Sequence, residues 1–197
     1  MADGELMLTE GLKTCNFLQA ERQNGFFGLG GFSAIVDYGP PYWELELEYE
    51  NLSDANFRVL TAWMRRRRGG MSYFKAFRAM SRNPLGGASS ATVAQQTSDT
   101  LRVTSSPVLQ IGDMVAYDAN GSGRFVGEVI EIVATAAGYV DVKTFPPISV
   151  PASTPNAEIV DAGGYFRVLP DTVRLSEPLG FTRSMSFRAR QLEPTDA

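Results

Sequence analysis

The stretch YWELELEYE, positions 42 to 50, leaves the backbone little choice. Trp43, Leu45, Leu47 and Tyr49 alternate with Glu44, Glu46, Glu48 and Glu50. At period two the apolar side chains share one face of a β-strand and the four carboxylates share the other. One face belongs to a core, and the other meets water or arginines. Gly39-Pro40-Pro41 supplies turn chemistry just ahead, so the strand starts near Tyr42.

A helix follows. In NLSDANFRVLTAWMRRRRGG, Ser53 suits the N-cap, Asp54 lies at the positive end of the dipole, and Phe57, Leu60, Trp63 and Met64 form one apolar stripe. Arg65, Arg66, Arg67 and Arg68 fall in the last turn, where cations meet the negative end of the dipole, and Gly69 suits the C′ position. SYFKAFRAM then alternates again as a strand with weak facial polarity, Tyr73, Lys75 and Phe77 on one side and Phe74, Ala76 and Arg78 on the other.

From Leu85 the chain turns small and polar, LGGASSATVAQQTSDT, as a linker or the entry to a module does. The runs LRVTSS, DMVAYD, RFVGEVIEIVA and YVDVKTF follow, separated by the turn signals IGD, ANGSG and AAG. This pattern predicts a small β-barrel or sandwich. AEIVDAGGYFRVLP adds two more short strands, and GFTRSMSFRARQL closes the chain as a strand with Phe181, Arg183, Met185 and Phe187 alternating. The expected organisation is mainly β: a first domain of residues 1–84 completed by 175–197, with an inserted β module over 85–174. A chain of 197 residues has room for both without a disulfide or metal staple.

Charge is segregated along the chain. The stretch 85–174 carries five basic and nine acidic residues, which leaves thirteen of each outside it and puts the whole net charge of -4 on the insert. By contrast, eight basic residues and no acid lie between Arg58 and Arg82. Successive helical positions turn by about 100°, so the four arginines of the run fan around the axis and make no flat phosphate cluster by themselves. They read as a dipole-matched helix end that meets carboxylates of its own or a neighbouring chain.

Several chemistries are excluded or weak. With no histidine and only Cys15 as a thiol, the chain holds no Ser/His/Asp triad, Cys/His nucleophile or zinc finger. GFFGLGG, Gly25 to Gly31, lacks the strand-to-helix context of a dinucleotide loop and the Gly-Lys-Ser/Thr of a P-loop, so it reads as a hairpin or apolar contact loop. Alternate glutamates on a strand lie about 6.6 Å apart, close to glycosidase spacing, but four in a row make a solvated or arginine-facing surface. Gly112-Asp113, Asp118 and Asn120-Gly121 fail the EF-hand spacing and read as β-turns. No catalytic, cofactor or metal residue is expected. MADGELMLTEGLK lacks the basic and apolar segments of a secretory signal, and no run reaches a membrane span, so synthesis in a cytoplasm is expected.

The strand, helix and strand of WELELEYENLSDANFRVLTAWMRRRRGGMSYFKAF, together with QIGDMVAYD, GEVIEIVATAAGYVDVKTFPPIS and FTRSMSFRARQ, resemble the distal tail proteins found at the tail tip of long-tailed bacteriophages. The resemblance runs from Trp43 onward, while residues 1–40 match loosely. It implies a tail-tube-like β-sandwich with one flanking helix, assembled as a ring that is usually a hexamer, located in the virion. Such a ring joins the tail tube to the hub and to fibre or receptor-binding proteins and lets DNA pass. The insert would face outward as a platform or a binder of host-surface carbohydrate. Glu44, Glu46, Glu48 and Glu50 against Arg65, Arg66, Arg67 and Arg68 are then the candidate inter-subunit contacts. A nucleic-acid-binding barrel, a tail-tip enzyme and another tail- or head-completion protein are the competing readings.

Overall fold

The structure, a computed structural model, describes residues 5–27, 33–37, 39, 41–67, 72–79, 82–87, 91–97, 100–105, 109–119, 123–136, 138–148, 151–177 and 182–192. Its first part holds strands β1 (Glu5–Leu6), β2 (Leu12–Ala20), β3 (Gln23–Phe27), β4 (Ser33–Asp37) and β5 (Tyr42–Leu52), then helix α1 (Asp54–Arg66) and β6 (Phe74–Phe77). A middle part follows with β7 (Ala91–Gln96), β8 (Leu101–Ser105), β9 (Met114–Ala119), β10 (Arg124–Ala136), β11 (Tyr139–Phe145) and β12 (Ala152–Glu158). The chain ends with β13 (Gly163–Val168), a short 3-10 turn (Pro170–Thr172), β14 (Arg174–Ser176) and β15 (Arg183–Gln191).

The protein is mainly β, as expected, and its strands divide between two bodies. One is a seven-stranded sheet in the order β1-β6-β13-β15-β5-β2, with β14 also pairing to β15. The other is a closed barrel in the order β10-β11-β8-β7-β12-β9. β3 and β4 form a separate hairpin, so Gly25, Phe26 and Phe27 lie in a hairpin strand; Gly28 to Gly31 fall outside the described residues.

β5 sits between β15 and β2, and its alternation sorts as the pattern requires: Trp43, Leu45, Leu47 and Tyr49 are buried while the glutamates face outward. Helix α1 lies on the buried side. Ser53 caps it by accepting the Asn56 amide at 3.2 Å, and Phe57, Leu60, Trp63 and Met64 enter the same core as the β5 apolar set. Trp63 anchors the contact, its ring 5.1 Å from Phe74 and 6.1 Å from Phe187. Glutamates and helix therefore occupy opposite sides of one sheet.

The expected module boundary at 174 needs correction. The barrel occupies Ala91 to Glu158, whereas β13 pairs with β6 and β15 and belongs to the sheet. Tertiary pairing sets a strand's membership, and the GGYFRV stretch has the paired glycines that β6 demands. A Cβ on Gly163 would stand 2.2 Å from the Ala76 carbonyl oxygen, so only glycine admits that approach. Phe77 and Gly163 are register partners, and the barrel is spliced into the connection between these neighbouring strands.

Inside the barrel, Leu101, Val103, Val115, Tyr117, Phe125, Val129, Val140 and Val142 make a second core, with Tyr117 and Phe125 stacked at 4.8 Å. Met114 and Ala116 of β9 and Val126 of β10 point the other way and join the core of the sheet. This burial on two sides explains why DMVAYDA is apolar almost throughout. The Trp43 indole donates to the Val126 carbonyl at 3.2 Å, a hydrogen bond between the two bodies.

Candidate interaction surfaces

The four glutamates form a ladder on the outward face of the sheet, and flanking strands of the same chain supply neighbours. Lys13 on β2 reaches Glu50 at 2.6 Å, and that hydrogen bond raises the lysine's pKa. Thr14 donates to Glu48 at 3.1 Å. Arg188 on β15 lies 3.3 Å from Glu46. Tyr42 donates to Glu44 at 3.4 Å, and the Arg190 guanidinium lies over the Tyr42 ring at 4.3 Å. The surface is thus an internally cross-braced charged sheet rather than a bare acidic strip.

The arginine run is divided. Arg65 and Arg66 are exposed in the last helical turn, but Arg67 is the C-cap and is 3% exposed, its guanidinium 5.1 Å from the Trp63 ring centre. Arg68 lies outside the described residues. The inward turn of Arg67 departs from the expectation of four surface arginines, and the cause is helical geometry. Arg67 stands four residues after Trp63 and three after Met64, on the same stripe as the apolar residues. That spacing is the signal by which sequence reading would have found it.

The remaining basic residues of the segment meet carboxylates of the same chain. Arg58 pairs with Asp54 at 2.9 Å, Lys75 with Glu158 at 2.6 Å, Arg78 with Glu128 at 3.3 Å and Arg82 with Asp161 at 2.7 Å. Glu128 and Glu158 belong to barrel strands, so acids of the insert meet basic groups of the sheet. The Arg82 pair also holds the Asp161 carboxyl below its ordinary range.

At the joint lies a residue the sequence did not single out. Arg124, 4% exposed, opens β10 and donates through Nε to the Gly163 carbonyl at 2.7 Å. Its Nη1 meets Asp118 at 2.5 Å and its Nη2 pairs with Glu158, the carboxylate that also holds Lys75. One guanidinium therefore ties two barrel strands to the first residue of β13. In the sequence it is a solitary arginine in an alternating strand, and nothing local marks it as buried.

The turn at Gly112-Asp113 is likewise structural. Asp113 is buried and its carboxylate accepts the Leu85 amide at 2.6 Å and the Gln110 amide at 2.7 Å, which fastens the entry of the module to its wall. Among the described residues, no three His, Cys, Asp or Glu side chains gather as a metal site. Among them, too, no helix is long and apolar enough to cross a membrane.

Fold and surface together define a mainly β protein in which a closed six-stranded barrel is set into a curled sheet bearing one helix. In comparison with known proteins, no family model matches the sequence and no curated protein matches it.

Proposed function

We propose that the chain is a structural protein of a bacteriophage tail tip, whose sheet-and-helix body assembles into a ring and whose barrel is carried as a peripheral module. The ring would connect the tail tube to the hub and receptor-binding apparatus, and no catalytic step is assigned to it. The observation that supports the reading best is the splice of a self-contained barrel, with its own core, into one connection of the sheet. Such an arrangement adds a platform at a single connection of the body, fastened to it by Met114, Ala116 and Val126 in the sheet's core and by Arg124. The divided arginine run weighs against a nucleic-acid reading, because its basic neighbours are matched by carboxylates of the same chain. Arg65 and Arg66, the exposed part of the run on the helix side, are the candidate ring contact on that side.

Light scattering and negative-stain microscopy of the purified chain, alone and with isolated tail tubes, test the proposal. Closed rings, or rings on tube ends, are expected. A chain that stays monomeric in both conditions overturns it. Arg65→Glu with Arg66→Glu should abolish the ring while leaving the fold intact.

A further inference from the structure

Two arginines and two glutamates on the outward face have no ionic partner among the described residues. Arg167 and Arg174 are the cations, and Arg167 Nε is withdrawn from water without an acceptor there. Glu44 and Glu48 are the anions, each hydrogen-bonded by a hydroxyl, of Tyr42 and Thr14 respectively; Glu48 also feels the charge of Lys13, whose own bond goes to Glu50. Their positions are not arbitrary. In register, Arg167 stands beside Arg190, which stands beside Glu44; Arg174 stands beside Ser186, which stands beside Glu48.

These are two rows across the sheet, each with a cation on one flank of β15 and an anion on the other. The rows are four residues apart along β15, about 13 Å, and the charges within a row are two strand spacings apart, about 10 Å. Neither row closes into an ion pair within the chain. The two cations are left on one flank of β15, with Asp171 in the groove beside Arg174, and the two anions on the other, with Lys13 nearby.

We propose that this face binds a second copy of the chain, turned over about a two-fold axis that runs along β15. Rotation about that axis keeps every residue at its height along the strand and exchanges the flanks. Arg167 then faces Glu44 of the second copy and Arg174 faces Glu48, and the same two pairs repeat in reverse, as an isologous contact requires. An axis across the strands would instead set arginine over arginine. Sheets stacked with strands within about 30° of each other are a common packing. Arg188 and Arg190, on β15 itself, lean off the axis toward β5, one to Glu46 at 3.3 Å and the other over Tyr42 at 4.3 Å. Beside β15 a groove of 340 Å³, lined by Glu46, Asp171, Thr172, Arg174, Ser186 and Arg188 among others, offers space for incoming side chains.

The inference goes beyond the ring reading, since a two-fold contact joins copies in pairs whatever cyclic contact they make. It also gives Glu44 and Glu48 a counter-surface other than the arginine run.

Sedimentation velocity over a range of concentration and salt tests it. The unaltered chain should pair in a salt-sensitive manner. Arg167→Glu with Arg174→Glu, or Glu44→Lys with Glu48→Lys, should each weaken pairing at least about tenfold, because like charges then face each other. Mixing the two altered chains should restore it, since every contact is again between opposite charges. The single changes Arg174→Glu, at an exposed position, and Glu48→Lys, at a half-buried one, provide the same mixing test should the double variants fail to fold. A chain with no paired species, variants that pair as before, or a mixture of folded variants that stays apart would each overturn the proposal. Loss of rings in the Arg65, Arg66 variant with pairing retained separates this contact from the ring contact.

Discussion

The end of helix α1 and the joint between barrel and sheet each bury an arginine, and they do so by opposite means. Arg67 rests on the Trp63 ring, with the Ser72 hydroxyl 3.5 Å away. Arg124 is held by two carboxylates and a backbone carbonyl. A guanidinium over an aromatic face gains modestly from that contact. A guanidinium that serves several acceptors weakens all of them at once when it is removed. The comparison leads to the expectation that the ring contact of Arg67 counts for less than the set of acceptors gathered by Arg124, although the run around Arg67 is the more conspicuous in the sequence.

The largest effect should come from removing the platform at the helix end. Trp63→Ala takes away a fully buried ring shared by α1, β6 and β15, and should cost about 3–5 kcal/mol in urea denaturation. Arg124→Met comes next. It removes one cation from Asp118 and from Glu158, which keeps Lys75, and takes the guanidinium donor from the Gly163 carbonyl; because both carboxylates are partly exposed the cost should be about 2–3 kcal/mol, below the range for a fully buried pair. Arg67→Met should cost less than Arg124→Met, since a flexible apolar side chain still covers Trp63. Equal losses for these two methionine variants, measured under the same conditions, would break the comparison.

The smallest effect is a pH dependence within the barrel wall. Arg102 bonds Asp141 through both oxygens, at 2.6 and 2.7 Å, and holds that carboxyl below its ordinary range. A carboxylate whose folded pKa is lowered contributes stability that is complete above its unfolded value, near about 4, and is lost as pH falls through the folded value. Asp161 behaves in the same sense through Arg82. Thermal melts from neutral pH to strong acid should therefore show a loss below about pH 4, and that loss should shrink in Asp141→Asn.

Local pattern made part of this fold legible. The alternation of β5, the capped stripe of α1 and the turn-punctuated strands of the module all reveal themselves over a few residues, and each formed as its spacing required. The split of charge was also readable, although its meaning was not. Only the folded chain shows that Glu128 and Glu158 of the acidic insert meet Arg78 and Lys75 of the basic segment. Local spacing does not place β13, because strands that are neighbours in sequence look alike and long-range pairing alone separates them. Arg124, Arg167 and Arg174 escaped notice for a related reason. Each is a single cation on a strand, and its significance arises from register with residues far away in the chain.

The register pair Phe77 and Gly163 also bears on how the chain reaches this state. Bringing two strands together across the stretch from 78 to 162, were it an unstructured loop, would carry a closure entropy on the order of 4 kcal/mol. A barrel that has already formed presents its two ends side by side and removes most of that penalty. The module would then act as an intramolecular template, and the pairing of β6 with β13 would wait for it. A construction of this kind makes the order of folding a property of the splice point.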